Sequence, residues 1–361
     1  MTKGTPWQLS RAAISAIERG QNFPGMEAML ALSNVLFVDP KELIERARLA
    51  MTVPVDVTGI PLEELEKKAS AHFWDGEFRE ALAIYDAMLE IMTLEERPVA
   101  EAARLEVKRA TALRRTNALL AALSTAERAI GYAVDQPAVQ AEAYIVLASV
   151  QCDRGNLPLA CDAADRAIEL AADADARTRG MAWIVKANSL FYLKKFEEAR
   201  QGYLEARKLA VDEGDRAHQT HIEGNIGMCW LKQGQLSEAR TWVRRAIELA
   251  REQVQPTLEA SWLVELGCIA MAERRPDEAD TFAQAAIRIA KPLEHHLTVF
   301  RAEWLRHKIL KQQDPQAIDR HRLAYLRKLM LLLDQHEGIE DVQEFKRTVL
   351  RTTETSGESE S

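Results

Sequence analysis

Two asparagines, Asn188 and Asn225, and a basic group formed by Arg104, Lys108 and Arg115 are the side chains best suited to chemistry in this 361-residue sequence. The chemistry they suit is recognition rather than bond making. A carboxamide offers a donor and an acceptor together, which matches the alternating groups of an extended peptide. Guanidinium and ammonium groups take a carboxylate, the planar guanidinium through two bonds at once. Asn188 stands between Ile184 and Phe191 at helical spacing, and an amide among apolar neighbours needs a partner. Catalytic patterns are missing from the sequence: there is no Gly-rich phosphate loop, no nucleophile elbow and no H-E-x-x-H. His218 and His221 are spaced i, i+3 and His295 and His296 are adjacent. With no third and fourth ligand nearby they read as solvated or capping residues rather than a metal site. The expectation is a protein that is not an enzyme and holds neither metal nor cofactor.

A repeat must position these side chains. Six alanines, Ala81, Ala122, Ala160, Ala199, Ala239 and Ala279, are separated by 41, 38, 39, 40 and 40 residues. A constant period of this size marks one supersecondary unit stacked on copies of itself. A turn lies about five residues before the alanine (Gly76, Gly155, Gly234), and a bulky apolar residue lies three before it (Phe78, Leu119, Leu157, Phe196, Leu236). Small residues follow seven later (Ala129, Ala167, Ala206, Ala246, Ala286) and often stand twelve before (Ala69, Ala110, Ala148, Ala187, Gly227, Gly267). Small residues in these slots let two antiparallel helices approach closely, and the bulky ones fill the gap to the next pair.

This frame resembles the tetratricopeptide repeat family over residues 62–291, most fully at Trp183, Phe196, Ala199, Tyr203 and Ala206. The usual family period is nearer ~34 residues. The helices here are therefore expected to be longer by about a turn, similar to the long-helix subgroup of bacterial regulators. Pro276 falls in the bulky slot of the sixth unit and argues against a regular turn there. A degenerate seventh pair is expected over Leu297–Gln335, with Ala317 and Ala324 keeping the seven-residue spacing, and a short helix Ile339–Leu350 closes the end. In the resembled family the first helix of each pair lines the inner surface. The resemblance puts Arg104, Lys108, Thr111, Arg114 and Arg115 on the inner side or edge of the second unit. It puts Ser149 in the third, Asn188 and Phe191 in the fourth, and Asn225 and Met228 in the fifth. It further implies that Asn188 and Asn225 clamp successive peptide groups of one extended ligand, with Arg104, Lys108 and Arg115 at its acidic end.

The net charge is −8, so no broad basic character marks a nucleic-acid coat, although a local reading element is still allowed. Cys152, Cys161, Cys229 and Cys268 form no C-x-x-C pair and read as reduced small hydrophobes in a cytoplasmic protein. No apolar run approaches the ~18 residues a membrane span needs, and no signal peptide is visible.

The first fifty residues have a different pattern. Ser10 suits an N-cap before Arg11–Arg19, Ile14 and Ile17 share a face, and Gly20 suits a left-handed C-terminal cap. Pro24, then Met29, Leu32 and Leu36, then Val38, Asp39, Pro40 and Leu43 follow in order. Over residues 9–46 this resembles the second half of an Xre or phage-repressor type helix-turn-helix. The resemblance implies that Arg11–Arg19 enters the major groove. Arg11, Ala12 and Ala16 would then face bases, and Ser10 and Arg19 phosphates. The family has two helices before the recognition helix, whereas only Met1–Gln8 precede it here. DNA is thus an expected partner once the helix-turn-helix is completed upstream, and the present chain is expected to bind it weakly or not at all.

The resulting expectation is an all-α chain: a right-handed superhelical solenoid of antiparallel helix pairs after a short helix-turn-helix-like segment. Its expected parts are a partial DNA-binding domain (1–50), a linker (51–61), about seven helix pairs (62–335), a capping helix (336–351) and a disordered tail (352–361). The leading functional expectation is a cytoplasmic bacterial transcription regulator, a homodimer as such proteins usually are, whose repeats sense a peptide or protein. The alternative is an interaction scaffold that has lost DNA binding.

Overall fold

The computed structural model describes residues 26–36, 55–317, 319–333 and 340–350. The chain is all-α, and it divides into two compact units, residues 1–178 and 179–361. The expected DNA-contacting residues Ser10, Arg11, Ala12, Ala16 and Arg19 and the expected tail 352–361 lie outside the described residues. Of the N-terminal segment, helix α1 (Met26–Leu36) is described, with Met29 and Ser33 buried and Leu36 exposed.

The first unit continues with α2 (Leu62–Trp74), α3 (Phe78–Leu94), α4 (Val99–Arg115), α5 (Leu119–Tyr132), α6 (Pro137–Asp153) and α7 (Leu157–Leu170). Helix α8 (Ala176–Tyr192) begins at the division. The second unit then runs through α9 (Phe196–Asp212), α10 (Arg216–Lys232), α11 (Leu236–Glu252), α12 (Pro256–Ala272), α13 (Pro276–Ala290), α14 (His296–Gln313), α15 (Arg320–Leu331) and α16 (Glu340–Phe345). A five-residue π-helical turn, Lys346–Leu350, extends α16. From α2 onward the even helices are the first members of the pairs and the odd helices the second. Many of the helices run to 17 residues, a turn beyond a short repeat.

The seam of each pair shows why its residues must be small. Ala69, Ala81, Ala110, Ala122, Ala148 and Ala160 have no exposed surface in the first unit, nor do Ala187, Ala199, Ala239 and Ala279 in the second. A Cβ added at Gly227 would stand 3.1 Å from the Ala239 carbonyl oxygen, and one at Gly267 would stand 3.3 Å from that of Ala279. Backbones this close leave no room for a larger side chain, and overpacking such a site costs about 1–3 kcal/mol. The odd helices bury one stripe. On α11 it is Ala239, Val243, Ala246, Ile247 and Ala250, the spacing of an amphipathic helix. The even helices are packed on more sides, and α12 buries Trp262, Leu263, Val264, Leu266 and Ile269 in succession around its axis.

In the first six pairs, each joint from the first helix to the second carries one residue in the left-handed region. These are Gly76, Asn117 and Gly155 in the first unit and Lys194, Gly234 and Arg274 in the second. The Arg274 joint forms normally despite Pro276, because that proline sits at the start of α13, where its missing N–H costs nothing. The seventh pair departs from the sequence frame. Ala317 lies between α14 and α15, and Ala324 is exposed. The α15 helix instead starts one residue after Asp319, whose Oδ1 accepts the Arg322 N–H at 2.9 Å. Leu326 and Leu329 then become its buried stripe. No helix among the described residues is long and apolar enough to cross a membrane.

Candidate functional site

The even-helix face of the first unit brings Arg104 and Lys108 together but separates Arg115 from them. The Lys108 Nζ donates to Glu66 Oε1 of α2 at 2.5 Å. Arg104, a turn earlier on α4, is exposed and makes no hydrogen bond or ion pair to a described residue. Both bases face Glu142 of α6, whose carboxyl is raised by its burial, with Arg104 and Lys108 pulling the other way. Arg115 ends α4 and lies over the Phe78 ring at 5.0 Å, at the edge of the pair. Arg114 donates to Asp153 at 2.6 Å. The Thr111 and Ser149 hydroxyls bond back to Val107 and Ile145 carbonyls on their own helices.

In the second unit Asn188 has a partner that its sequence neighbours do not suggest. The Tyr203 hydroxyl of α9 donates to Asn188 Oδ1 at 2.6 Å. The acceptor is therefore engaged inside the pair, and the Nδ2 donors make no hydrogen bond to a described residue. Asn225 on α10 is half-buried and makes no side-chain hydrogen bond to a described residue. The two asparagines are not in matching slots. Helices α8 and α10 start at Ala176 and Arg216, forty residues apart, so Asn188 matches Met228 and Asn225 matches Val185. Three residues is about 4.5 Å of rise on nearly the same face, so the two amides are staggered along the helix axes. Two of the histidines pair at helix starts: His218 Nδ1 lies 2.6 Å from Asp215, the N-cap of α10, and His295 Nδ1 lies 2.7 Å from the Thr298 hydroxyl. No group of three or more metal-ligating side chains occurs among the described residues, and no disulfide joins any of the four cysteines.

Buried glutamates hold the helices together at positions to which no role was assigned from sequence. Glu106 of α4 accepts both Arg128 bonds, at 2.8 and 2.9 Å, from α5. Glu223, only 1 % exposed on α10, meets Arg207 of α9 at 2.8 Å and Arg245 of α11 at 2.9 Å. A carboxylate in such a place must be paired, since an unpaired buried charge is strongly destabilising.

The densest polar constellation lies at the far end of the second unit, and sequence reasoning missed it. Arg301 of α14 donates to Glu265 of α12 at 2.6 Å and to Asp341 of α16 at 2.8 Å. Lys308 of α14 donates to Asp341 at 3.2 Å and to Glu344 at 3.1 Å. Glu344 also accepts the Trp304 Nε1–H at 2.9 Å. Phe345, fully buried, meets Phe300 and Trp304 edge-on at 5.5 and 5.4 Å. At the rim, Lys232 at the end of α10 donates to Glu340 at 3.2 Å. Burial alone would raise the Asp341 carboxyl, but Arg301 and Lys308 outweigh it and hold the group below the usual aspartate range. Cys268 of α12 lies beside these charges, and burial is the main cause that pushes its thiol up to about 12. The available signal was the spacing of Glu265, Arg301 and Asp341, alternating charges 36 and 40 residues apart, one repeat each.

No family model and no curated protein matches the sequence. Solved structures do share the fold. The apo form of RapI aligns with a TM-score of 0.60 at 13% identity, covering 74% of this chain and 98% of that one. Aspartyl phosphate phosphatase F from Bacillus subtilis aligns at 0.57 and 17%, covering 98% and 94%. A Rap protein complexed with Competence and Sporulation Factor aligns at 0.57 and 14%, covering 96% and 98%. At these identities the likeness establishes the architecture: a tetratricopeptide-like array of consecutive antiparallel helix pairs, similar to the Rap proteins.

Proposed function

We propose that this chain is a non-catalytic interaction scaffold that binds an extended peptide or a segment of a partner protein along the even helices of either unit. One observation carries the reading: these faces keep recognition groups that the fold itself does not use. Thr111, Ser149, Glu66 and Lys108 are all satisfied internally, whereas Asn225, the Asn188 Nδ2 and Arg104 are left over. Repeat arrays commonly bind through such extended surfaces, and the Rap structure with Competence and Sporulation Factor shows a complex on this architecture. Four cysteines without a disulfide fit a reducing compartment, so we place the protein in the cytoplasm. The test is a titration with a ligand captured from the native host. Asn225→Ala should weaken binding at any ionic strength, because it removes hydrogen bonds. Arg104→Ala should weaken it most at low salt, because it removes a Coulomb attraction screened over ~8 Å at physiological ionic strength. Unchanged affinity in both variants rejects the even-helix face as the binding surface.

A second reading, a transcription regulator, rests on the helix-turn-helix pattern of residues 9–46. Its test is an upstream-extended protein on DNA. Arg11→Ala there should relax one base preference at a cost of ~1–3 kcal/mol, and Arg19→Ala should weaken all sequences evenly. Failure of the extended protein to bind any DNA leaves only the scaffold.

A further inference from the structure

The even-helix face of residues 179–361 is over-supplied with positive charge where α16 meets it. Lys232, Arg301 and Lys308 converge there from α10 and α14, and Glu265 is the one carboxylate of the even helices bonded to any of them among the described residues. The balance comes from the C-terminal segment, through Glu340, Asp341 and Glu344. A segment that only capped the last pair would need an apolar underside on α14 and α15. Phe345 and Val342 do provide that underside. The reach of Glu340 to Lys232 on α10, two pairs upstream of α14, is not needed for capping. The contact set has the form of a bound ligand: one aromatic anchor seated on Phe300 and Trp304, flanked by three carboxylates facing three bases.

We propose that the surface built by Lys232, Arg301, Trp304 and Lys308 docks an acidic, aromatic-bearing helix of a partner protein, and that Glu340–Leu350 is the resident occupant this helix displaces. The inference rests on the scaffold reading and specifies one of its sites. Charge complementarity selects the partner. Its helix carries carboxylates at i and i+3 followed by an aromatic residue, as Asp341, Glu344 and Phe345 do. The affinity seen from outside is the intrinsic affinity reduced by the fraction of molecules whose site is open. Weakening the resident segment therefore tightens binding of an external one without any new contact.

The experiment uses the full chain and a fluorescent synthetic peptide with the sequence of Glu340–Leu350, followed by anisotropy. The D341K/E344K variant reverses two charges of the resident segment and leaves Phe345 in place. It should bind the peptide about tenfold more tightly than the unaltered chain, as expected when the open fraction rises from about a tenth to near one. The gain should shrink with salt and vanish when Lys308→Glu is added. Cys268 reports opening independently: its labelling by a thiol reagent should speed up in D341K/E344K and not in the same variant carrying C268S. Equal peptide affinity in the two chains, or no binding to either with helicity intact, overturns the proposal and makes the segment a structural cap. If D341K/E344K loses helicity, E344K alone is judged by the same criteria. Self-association of the unaltered chain that D341K/E344K abolishes also overturns it, by assigning the site to a second copy. The two readings fail separately. A chain that captures host ligands but shows no gain here keeps the scaffold function and loses this site. A gain here with no partner captured keeps the site and loses the function.

Discussion

On the even helices of the first unit, bases are balanced by acids on neighbouring even helices: Lys108 has Glu66, and Arg104 with Lys108 faces Glu142. In the second unit the balance fails at α14, and a segment from beyond the repeats supplies the missing carboxylates. The two faces are built from equivalent helices of the repeat and from the same residue types. They differ in burial. The Lys108–Glu66 pair is a third and nearly a half exposed, so water does much of its work. Glu265, Arg301 and Asp341 are all mostly shielded, so each depends on the others. Exposed pairs decorate a surface, whereas shielded ones make a neighbouring segment part of the fold or of a switch.

The sharpest way to break this contrast is to remove one base from each face. Arg301→Met should cost about 2–4 kcal/mol in urea denaturation, because it strands the shielded Glu265 and leaves Asp341 with Lys308 alone. A loss below about 1 kcal/mol would show that water reaches the cluster. A smaller effect should come from acid. The Asp341 carboxyl is held below its ordinary value of 3.8. A depressed acid contributes stability that is complete above its unfolded value and is lost as pH falls through the folded one. Docking of α16 should therefore hold steady down to about pH 4 and weaken below it, read as faster amide exchange in residues 340–350. Weakening that starts near pH 6 would point to a histidine instead. Smaller again is an effect at the joints, where the units also differ. Arg274, at φ 61°, occupies a backbone state that suits glycine. Arg274→Gly should stabilise by about 0.5–1 kcal/mol, the left-handed penalty less the added unfolded-state entropy. Asn117→Gly in the first unit should gain less, since asparagine tolerates this conformation. Smallest of all, Lys108→Met should move stability by no more than about 0.5 kcal/mol.

Much of the fold was legible because its signal is steric and local. A slot with no room beyond a Cβ admits only alanine or glycine, and that constraint recurs at Ala81, Ala122, Ala160, Ala199, Ala239 and Ala279. The site was legible in residue type more than in geometry. Asn188 did need a partner, but its partner is the hydroxyl of Tyr203, which the sequence frame records only as a match to the repeat. Arg115 carries the right charge for the groove, yet the end of its helix turns it onto Phe78. The Arg301 cluster stayed hidden because pairing between repeats imposes no pattern on adjacent residues. In the last pair the seven-residue spacing of Ala317 and Ala324 was misleading. The Asp319 cap sets where α15 begins, and that start turns Leu326 rather than Ala324 inward.

The left-handed joints have a consequence for how such a gene can change. In the second unit they recur at Lys194, Gly234 and Arg274, forty residues apart. Excising one whole period, from Gln235 through Arg274, would join Gly234 directly to Arg275 with the backbone already in the correct state, and Gly227 would meet Ala279 in place of Ala239. Losing three residues anywhere inside a helix would rotate every later seam out of register. Length variation should therefore come in whole modules. Its cost would be set by individual knobs such as Trp262, whose ring fills the space that any Cβ at Gly224 would need. A recombined array would have to re-match that pair before it regained full stability.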